Sequence, residues 1–249
     1  MQENRTFFHF ADIQLIIGVL CKYPDHNKLF FAKYSAHIVF FYKFVPMTFE
    51  QIKQILKSKT VGIAGCGGLG SNCAVALARV GVGRLILADF DLVQEGNLNR
   101  QFYFYDQIGM LKVAALKQNL FRINPDVRVN TFDIRLCQSD IIEIYSKCDV
   151  IVEAFDKPEM KYLILDAVHN FMPDKHLVMG VGMAGWGDNN LIRSRQSDKL
   201  IICGDEINAI ADHCPPLAPR VGIVANMQAN AVLEILLGSN EHQIHSARS

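Results

Sequence analysis

The chain has 249 residues, of which 50% are hydrophobic and 20% are charged. Such a length and composition are ordinary for a globular protein and allow one sizeable core. Lysine plus arginine and aspartate plus glutamate each number 25, so the formal net charge at pH 7 is zero. A chain without excess positive charge is not expected to have nucleic acid as its main ligand.

The seven cysteines stand at positions 21, 66, 73, 137, 148, 203 and 214. No two of them have the Cys-x-x-Cys spacing of a structural zinc site or a redox dithiol. We therefore expect no structural zinc. The simplest interpretation is a set of reduced thiols in a cytoplasmic protein.

Residues 1–46 form an atypical apolar N-terminal segment that holds eight of the sixteen phenylalanines. The segment has two apolar stretches. Asp12 interrupts the first, and Lys33 and His37 interrupt the second, so neither stretch has the roughly 18 uninterrupted apolar residues of a membrane span. No membrane partner is therefore expected. The segment is either an added decoration or untranslated sequence before a true start at Met47. We favour the second interpretation, because the organised pattern begins only after that methionine.

From residue 47 to residue 240, predicted strands and helices alternate, and a polar tail (241–249) follows. The predicted strands are 60–65, 84–89, 127–134, 149–156 and 176–185, then a more exposed pair at 190–196 and 199–205. The predicted helices are 48–57, 69–81, 106–123, 140–148, 158–172 and 221–238. Strands that alternate with crossover helices favour an α/β fold. We predict one doubly wound, mostly parallel, Rossmann-like sheet with a few extra antiparallel strands.

The sequence GCGGLG places Gly65, Gly67 and Gly70 as G-x-G-x-x-G between the first strand and a helix. Glycine allows a tight turn and a close backbone approach, and the helix N-terminus offers free amides to phosphate. Asp89 ends the next strand, nineteen residues after Gly70, where it can accept hydrogen bonds from a ribose. These features predict a bound nucleotide, with NAD and ATP equally suitable at this point.

The stretch DFDLVQEGNLNRQ adds polar residues that a nicotinamide site does not require. Arg100 is a fixed fork of donors for phosphate oxygens, and Asn97 and Asn99 are uncharged donors close by. Lys112 lies near the start of the following helix, from which it can reach the same crevice. Two cations near one glycine loop favour a triphosphate over a dinucleotide.

Asp156 ends the nearly continuous apolar strand DVIVEAFD. The carboxyl edge of such a sheet is where ligands of this fold class bind. A carboxylate at that edge suits a magnesium ion on a nucleotide phosphate. The alternative is a helix cap in front of Pro158.

Several motifs in register resemble the ThiF family of adenylyltransferases that activate sulfur carrier proteins. They are GIAGCGGLGSN, LADFDLV, NLNRQFYF, DQIGMLK, RINPDV, DVIVEAFDKPE and APRVGIVANMQANAVLEILLG. The likeness covers about residues 58–238. It is greatest to a short branch that is linked to thiamine biosynthesis.

The resemblance implies that ATP and Mg²⁺ bind and that the C-terminal glycine carboxylate of a ubiquitin-like, Gly-Gly-ended carrier attacks the α-phosphate. It implies nucleotide contacts from Gly68 and its neighbours and ribose contacts from Asp89. It also implies that Asn97, Arg100 and Lys112 neutralise the triphosphate. Asp156 then positions Mg²⁺.

The resemblance leaves several points open. It gives Asp91 a secondary role beside the metal. It implies a homodimer, although the arginine that longer relatives carry upstream of the glycine loop is replaced here by lysines. Cys203 and Cys214 lie where some relatives carry a sulfur-transfer cysteine, but neither stands in a matching motif. The segment 213–220 resembles the one under which a carrier tail threads.

Two alternatives remain at this stage. The first keeps the ATP site but changes the acceptor to a molybdopterin-type carrier or a modified tRNA base. The neutral charge of the chain disfavours the tRNA acceptor. The second is a nicotinamide-binding or non-catalytic protein of the same fold. It gives no role to Arg100, Lys112 and Asp156.

Overall fold

The computed structural model of the chain describes residues 47–238. The predictions for residues 1–46 and for the tail 241–249 lie outside the described residues. The described helices are α1 (Phe49–Leu56), α2 (Gly68–Val80), α3 (Lys112–Ile123), α4 (Gln138–Tyr145), α5 (Pro158–Phe171) and α6 (Ala218–Gly238). The strands are β1 (Thr60–Ala64), β2 (Arg84–Ala88), β3 (Arg128–Phe132), β4 (Val150–Glu153), β5 (His176–Gly180), β6 (Arg193–Ser197) and β7 (Leu200–Gly204).

The strands form one sheet in the order β3-β2-β1-β4-β5-β7-β6. All pairs are parallel except β6 with β7. The predicted doubly wound sheet is therefore confirmed. The chain runs from β1 out to β3 and then returns to β4 on the other side of β1. The strand order thus reverses between β1 and β4, and this is where ligands bind in open α/β sheets.

The central strands β1, β4 and β5 bury side chains on both faces of the sheet, and their sequences are nearly continuous apolar runs. On one face, Val61 and Ile63 of β1 join a core with residues of α2, α3 and α6. On the other face, Ile151 of β4 joins a core with α4 and α5. The helices on the two faces thus cover the apolar centre of the sheet.

Helix α1 begins at Phe49, one residue after its predicted start, and a capping box precedes it. The Thr48 hydroxyl accepts a hydrogen bond from the Gln51 backbone (3.3 Å), and the Gln51 side chain accepts one from the Thr48 backbone (2.8 Å). Helix α6 is the only described helix long and apolar enough to cross a membrane by length and composition. Its Val224, Ala225 and Val232 are fully buried in the protein core, so we interpret it as a core helix.

Several of the predicted elements are longer than the elements in the structure. The helix predicted at 106–123 is a 3-10 turn at Tyr105–Gln107 followed by α3, because Gly109 takes a left-handed backbone (φ 86°) between them. Strand β5 stops at Gly180, since Gly182 (φ 80°) turns the chain away. Strand β4 ends at Glu153, before the predicted end at Asp156.

The last two strands differ from each other more than the sequence suggested. Strand β6 is exposed along its whole length, as an edge strand can be. Strand β7 is mostly buried, because it lies between β5 and β6 in the sheet.

Candidate functional site

A cavity of about 220 Å³ opens beside the residues that follow β1, β2 and β4. Its position matches the reversal point of the sheet. Eight of the predicted site residues line it: Gly65, Gly67, Gly68, Asp89, Asp91, Arg100, Lys112 and Asp156. Residues that lie far apart in the sequence are thus brought to one place by the parallel strands.

The glycine loop brings its backbone close to the cavity. Gly65 has a left-handed backbone (φ 95°), and a Cβ there would lie 2.8 Å from the Ala154 carbonyl oxygen. Gly68 begins α2 and lines the cavity, so the free amides of the helix N-terminus face this region. Gly70 does not line the cavity. A side chain at Gly70 would overlap the Gly65 carbonyl, so this glycine permits the close packing of loop and helix.

Asp89 is anchored from both sides by backbone amides. One oxygen accepts from Cys66 N (2.6 Å) and the other from Asp91 N (2.8 Å). Burial raises the pKa of this carboxyl, and the two amides and nearby Lys112 oppose that effect. Each oxygen retains a lone pair, so Asp89 can still accept from ribose hydroxyls.

Lys112 and Asp91 form an ion pair at the first residue of α3. The Nζ atom lies 2.7 Å from Asp91 Oδ2, and the backbone N–H of Lys112 also donates to the Asp91 carbonyl (2.9 Å). The lysine side chain is only 7% exposed, whereas that of Asp91 is 50% exposed. Asp91 therefore holds the Lys112 side chain in place, and an anionic group of a ligand can compete with Asp91 for the lysine. The metal role suggested for Asp91 stays a prediction.

Arg100 is positioned by its own loop. Its Nη1 donates to the Gly96 carbonyl (3.0 Å) and to Asn99 Oδ1 (2.7 Å). The Arg100 carbonyl in turn accepts from the Asn72 side chain of α2 (2.9 Å). Partial burial lowers the pKa of the guanidinium, and the negative charge of Asp156 opposes this. The Asp156 carboxylate and the Arg100 guanidinium are thus close enough for their charges to interact.

Asp156 lines the cavity three residues after the end of β4, in the loop before α5. Within residues 47–238 no group of three or more His, Cys, Asp or Glu side chains could hold a metal. Asn97 does not line the cavity. Its Oδ1 accepts from Gln94 N (3.0 Å), so in this conformation it caps the 3-10 turn at Glu95–Asn97.

Gln101 is the site residue that sequence reasoning missed most clearly. It lines the cavity, it is 8% exposed, and its Oε1 atom has no hydrogen-bond partner among the described residues. A buried polar atom without a partner is costly, which makes cavity-lining Gln101 a candidate ligand contact. Its place directly after Arg100 was the available signal.

Phe90 and Arg135 also line the cavity and were not predicted. The Arg135 guanidinium lies 6.0 Å from the Phe90 ring centroid, and the ring is half exposed. A planar cation beside an aromatic face offers a stacking surface for a base. In the sequence, Phe90 stands within LADFDLV, between the two aspartates of the site, and Arg135 lies beyond β3, outside the quoted motifs.

Glu153 explains how the Asp156 loop is held. Its side chain is fully buried, and its oxygens lie 2.8 and 2.9 Å from Lys161 Nζ. It also accepts from Phe155 N (2.7 Å), one residue before Asp156. The sequence showed Glu153 only as an acid in an apolar strand. Its partner eight residues later, on α5, became visible with the fold.

The two cysteines left open by the sequence have different surroundings. Cys203 is fully buried in β7, and burial raises the pKa of its thiol to about 11. Cys214 is half-buried, two residues before Pro216, which lines the cavity. The six cysteines of residues 47–238 are all free.

Comparisons with known proteins identify the family of the chain and support its fold. The ThiF family matches residues 39–248. The chain belongs to the ThiF family. A member from Eremothecium gossypii, adenylyltransferase and sulfurtransferase UBA4, is 32% identical over 184 residues, which cover 74% of this chain and 39% of UBA4. The probable adenylyltransferase/sulfurtransferase MoeZ of Mycobacterium tuberculosis is 32% identical over 137 residues, covering 55% of this chain and 34% of MoeZ.

The ThiF-family chain thus spans well under half the length of these two relatives. A solved structure with the same fold is that of E. coli tRNA N6-threonylcarbamoyladenosine dehydratase, TcdA, in complex with ATP. Its TM-score is 0.68, with 21% identity and coverage of 78% of this chain and 92% of TcdA. Because the identity is 21%, this comparison shows that the two proteins share a fold and shows no more than that.

Proposed function

We propose that this ThiF-family chain catalyses the ATP-dependent adenylation of the C-terminal carboxylate of a ubiquitin-like carrier protein. The observation that carries the proposal is that the glycine loop, Arg100, Lys112 and Asp156 line one cavity at the reversal point of the sheet. Family membership and the adenylyltransferase relatives support the same activity.

The residues divide into roles that an ATP-dependent reaction requires. The amides at the start of α2 and the backbone of Gly67 and Gly68 are available to phosphate oxygens. Asp89 accepts from the ribose. Arg100 and Lys112 offset the negative charge that moves onto the leaving phosphates, which is catalysis by positioning and electrostatics.

A magnesium ion fits the donor set. Mg²⁺ commonly binds through one or two carboxylates together with substrate phosphates and water. Asp156 is a single carboxylate in the cavity that also holds the phosphate-directed cations. When bound, the ion would supply further charge neutralisation at the phosphates, and Asp156 would hold it there.

The reaction needs no nucleophile from the enzyme. An oxygen of the carrier carboxylate forms a bond to the α-phosphorus while the bond from that phosphorus to the bridging β-phosphate oxygen breaks. The products are an acyl-adenylate and pyrophosphate. Cys66 does not compete as a nucleophile, because burial, with Asp89 adding to it, raises the pKa of its thiol well above the usual value.

The narrower assignment is to a thiamine-type sulfur carrier ending in Gly-Gly, in a cytoplasmic homodimer. It rests on the sequence motifs. A molybdopterin-type carrier and a modified tRNA base are the competing acceptors. A nicotinamide cofactor is disfavoured, because it would leave Arg100, Lys112 and Asp156 without a function.

The test is ATP–pyrophosphate exchange with purified protein and a series of acceptors. We expect exchange only with a carrier, and loss of exchange when its last glycine is removed. Exchange with a molybdopterin-type carrier alone would correct the narrower assignment. Tight ATP binding without exchange for any carrier would contradict the proposed reaction.

Replacing Asp156 with alanine should lower the exchange rate by about 100-fold or more, since one charged contact to the transition state is lost. ATP binding measured by calorimetry should change far less. Asp174→Ala is the matched control, because that carboxylate is 97% exposed and pairs only with surface Lys199 among the described residues. Equal activity of both variants would remove the metal role of Asp156.

A further inference from the structure

Three consecutive backbone carbonyls of the glycine loop, those of residues 66–68, each accept a hydrogen bond from a side chain. The donors, in the same order, are the Tyr103 hydroxyl, the Ser71 hydroxyl and the Asn72 amide, each at 2.7 Å. None of these three side chains lines the cavity. The roles proposed above for ATP binding do not use them.

Tyr103 lies between the glycine loop and the start of α3. Its hydroxyl, which donates to the Cys66 carbonyl, also lies 3.4 Å from the Lys112 carbonyl. The residue is only 6% exposed. Burial raises the pKa of Tyr103, and the nearby acidic groups add to this effect. The hydroxyl therefore keeps its proton at neutral pH and remains a donor.

The other two donors join the glycine loop to the segment that carries Arg100. The Ser71 hydroxyl, which is fully buried, also accepts from Phe102 N (2.9 Å). The Asn72 amide also donates to the Arg100 carbonyl (2.9 Å). Because Tyr103 belongs to the same segment, residues 100–103 are bonded to the glycine loop and the start of α2 at three points.

The bonded carbonyls determine the direction of the N–H groups that follow them. The peptide bonds of the described residues are all trans, and in a trans peptide a carbonyl and the next N–H point in opposite directions. The N–H groups of Gly67, Gly68 and Leu69 therefore point away from the three donors. They have no acceptor among the described residues, and all three residues line the cavity. Three successive unpaired N–H groups at a cavity suit an anion.

We propose that Tyr103, Ser71 and Asn72 are positioning residues for the phosphate groups of the nucleotide. They hold three carbonyls so that the three following N–H groups are directed at phosphate oxygens. They also fix these N–H groups relative to Arg100, so that amides and guanidinium form one preorganised set. The inference rests on the nucleotide site of the proposed function.

Tyr103→Phe removes one hydroxyl and keeps the ring. Tyr145→Phe is the matched control, because Tyr145 is also buried and its hydroxyl donates to the Ile63 carbonyl of β1 (3.1 Å). That carbonyl lies three residues before Cys66, and Tyr145 does not line the cavity. Each variant loses one buried hydrogen bond to a backbone carbonyl. A difference between the two variants therefore reports on the glycine loop.

Calorimetric titration with ATP, AMP and adenosine separates a phosphate effect from a general loss of structure. Tyr103→Phe should raise the Kd for ATP and for AMP by about tenfold, and the Kd for adenosine by less than about threefold, since adenosine has no phosphate. Tyr145→Phe should leave all three Kd values within about threefold of the wild type. Equal weakening of AMP and adenosine in Tyr103→Phe would overturn the positioning role, and so would an unchanged Kd for AMP.

Ser71→Ala tests the connection to Arg100, because this change removes the bonds to both the Gly67 carbonyl and Phe102 N. In the wild-type background it should raise the Kd for ATP by about tenfold, and in an Arg100→Met background by only about threefold. Equal effects in the two backgrounds would show that Ser71 acts on the glycine loop alone, which contradicts the joint set.

These binding measurements do not require turnover. If the wild-type protein binds ATP but supports no pyrophosphate exchange with any carrier, the proposed reaction fails, and the Kd values still decide the positioning role. If the wild-type protein binds AMP no more tightly than adenosine, the positioning role fails, because the three N–H groups then bind no phosphate.

Discussion

Lys112 illustrates how a single residue joins fold and chemistry. It is the first residue of α3, its side chain is buried, and its only ion-pair partner among the described residues is Asp91 at 2.7 Å. A buried ammonium costs free energy unless an anion faces it. Asp91 is the exposed member of the pair, and both residues line the cavity. The phosphates of a ligand in the cavity can therefore reach the lysine.

Lys112→Met should therefore lower kcat/KM for pyrophosphate exchange by about 100-fold, because the charge that offsets the leaving phosphates is lost. Lys117→Met, on the same helix and outside the cavity, should retain nearly full activity. A steady-state kinetic comparison of the two variants checks this. Comparable losses in both would point to the stability of α3 instead of phosphate contact.

Asp205 makes a prediction about pH. Burial alone would raise the pKa of its carboxyl, but the hydrogen bonds from Ile207, Asn208 and Arg220 outweigh burial and lower it to about 2. A carboxyl whose folded pKa lies below its unfolded value of about 3.9 stabilises the fold above that value and loses the contribution as pH falls toward 2.

The difference in unfolding free energy between the wild type and Asp205→Asn should therefore be constant from about pH 7 to 5. Below about pH 4 it should shrink, by up to about 2 kcal/mol. Urea unfolding at a series of pH values measures it. Exposed Asp174→Asn should give a small difference over the same range. A gap for Asp205→Asn that widens toward low pH would contradict the assigned direction.

At the scale of elements, the site depends on how closely α2 approaches the loop that precedes it. Gly70 lies in the first turn of α2, where a side chain would overlap the Gly65 carbonyl. Gly222 lies in the first turns of α6, and a Cβ there would have open space around it, with no neighbouring atom within 4 Å. Alanine substitutions at these two helical glycines are therefore expected to change the stability of the protein in opposite directions.

Gly70→Ala should destabilise the protein by about 1–3 kcal/mol through overpacking and should weaken ATP binding. Gly222→Ala should stabilise it by about 0.5–1 kcal/mol, because alanine favours the helix. Chemical denaturation and calorimetric ATP titration measure both effects. A Gly70→Ala protein with unaltered stability and ATP affinity would show that the loop can move away from α2.

At the scale of the whole molecule, the charges are balanced overall but concentrated at one edge of the sheet. The chain has zero formal net charge, yet Arg100, Lys112, Asp89 and Asp156 meet at one cavity. Cations suit phosphate oxygens and a carboxylate suits ribose hydroxyls, so both kinds of charge in one cavity fit a ligand that carries both groups. This arrangement agrees with a nucleotide site.

The family resemblance predicts a homodimer. Sedimentation equilibrium of the full chain should give twice the 28.0 kDa chain mass. A mass of one chain at the concentrations of the exchange assay, with full activity, would show that no partner copy completes the site. Mixing two differently inactivated variants, such as Asp156→Ala and Lys112→Met, then tests whether residues are shared.

The sequence alone was sufficient for the fold class, the glycine loop and eight of the residues that line the cavity. Strand periodicity and the glycine spacing are local signals, and parallel strands place their carboxyl ends at one edge whatever the loops do. Asp89, Arg100 and Asp156 could therefore be assigned to one site from their positions along the chain. The break before α3 at Gly109 and the turn after β5 at Gly182 were less predictable, since glycine permits a turn without requiring one.

Only the tertiary structure identified the partners that hold those residues. Glu153 with Lys161 and Asp205 with Arg220 are ordinary charges in the sequence, and each pair forms because the fold buries both members together. Gln101 became a candidate ligand contact only when its buried, unpartnered oxygen was located. The glycine motif depends on residues that are neighbours in the sequence, so it could be predicted. Burial and ion pairing depend on packing between distant segments, so they could not be predicted from the sequence.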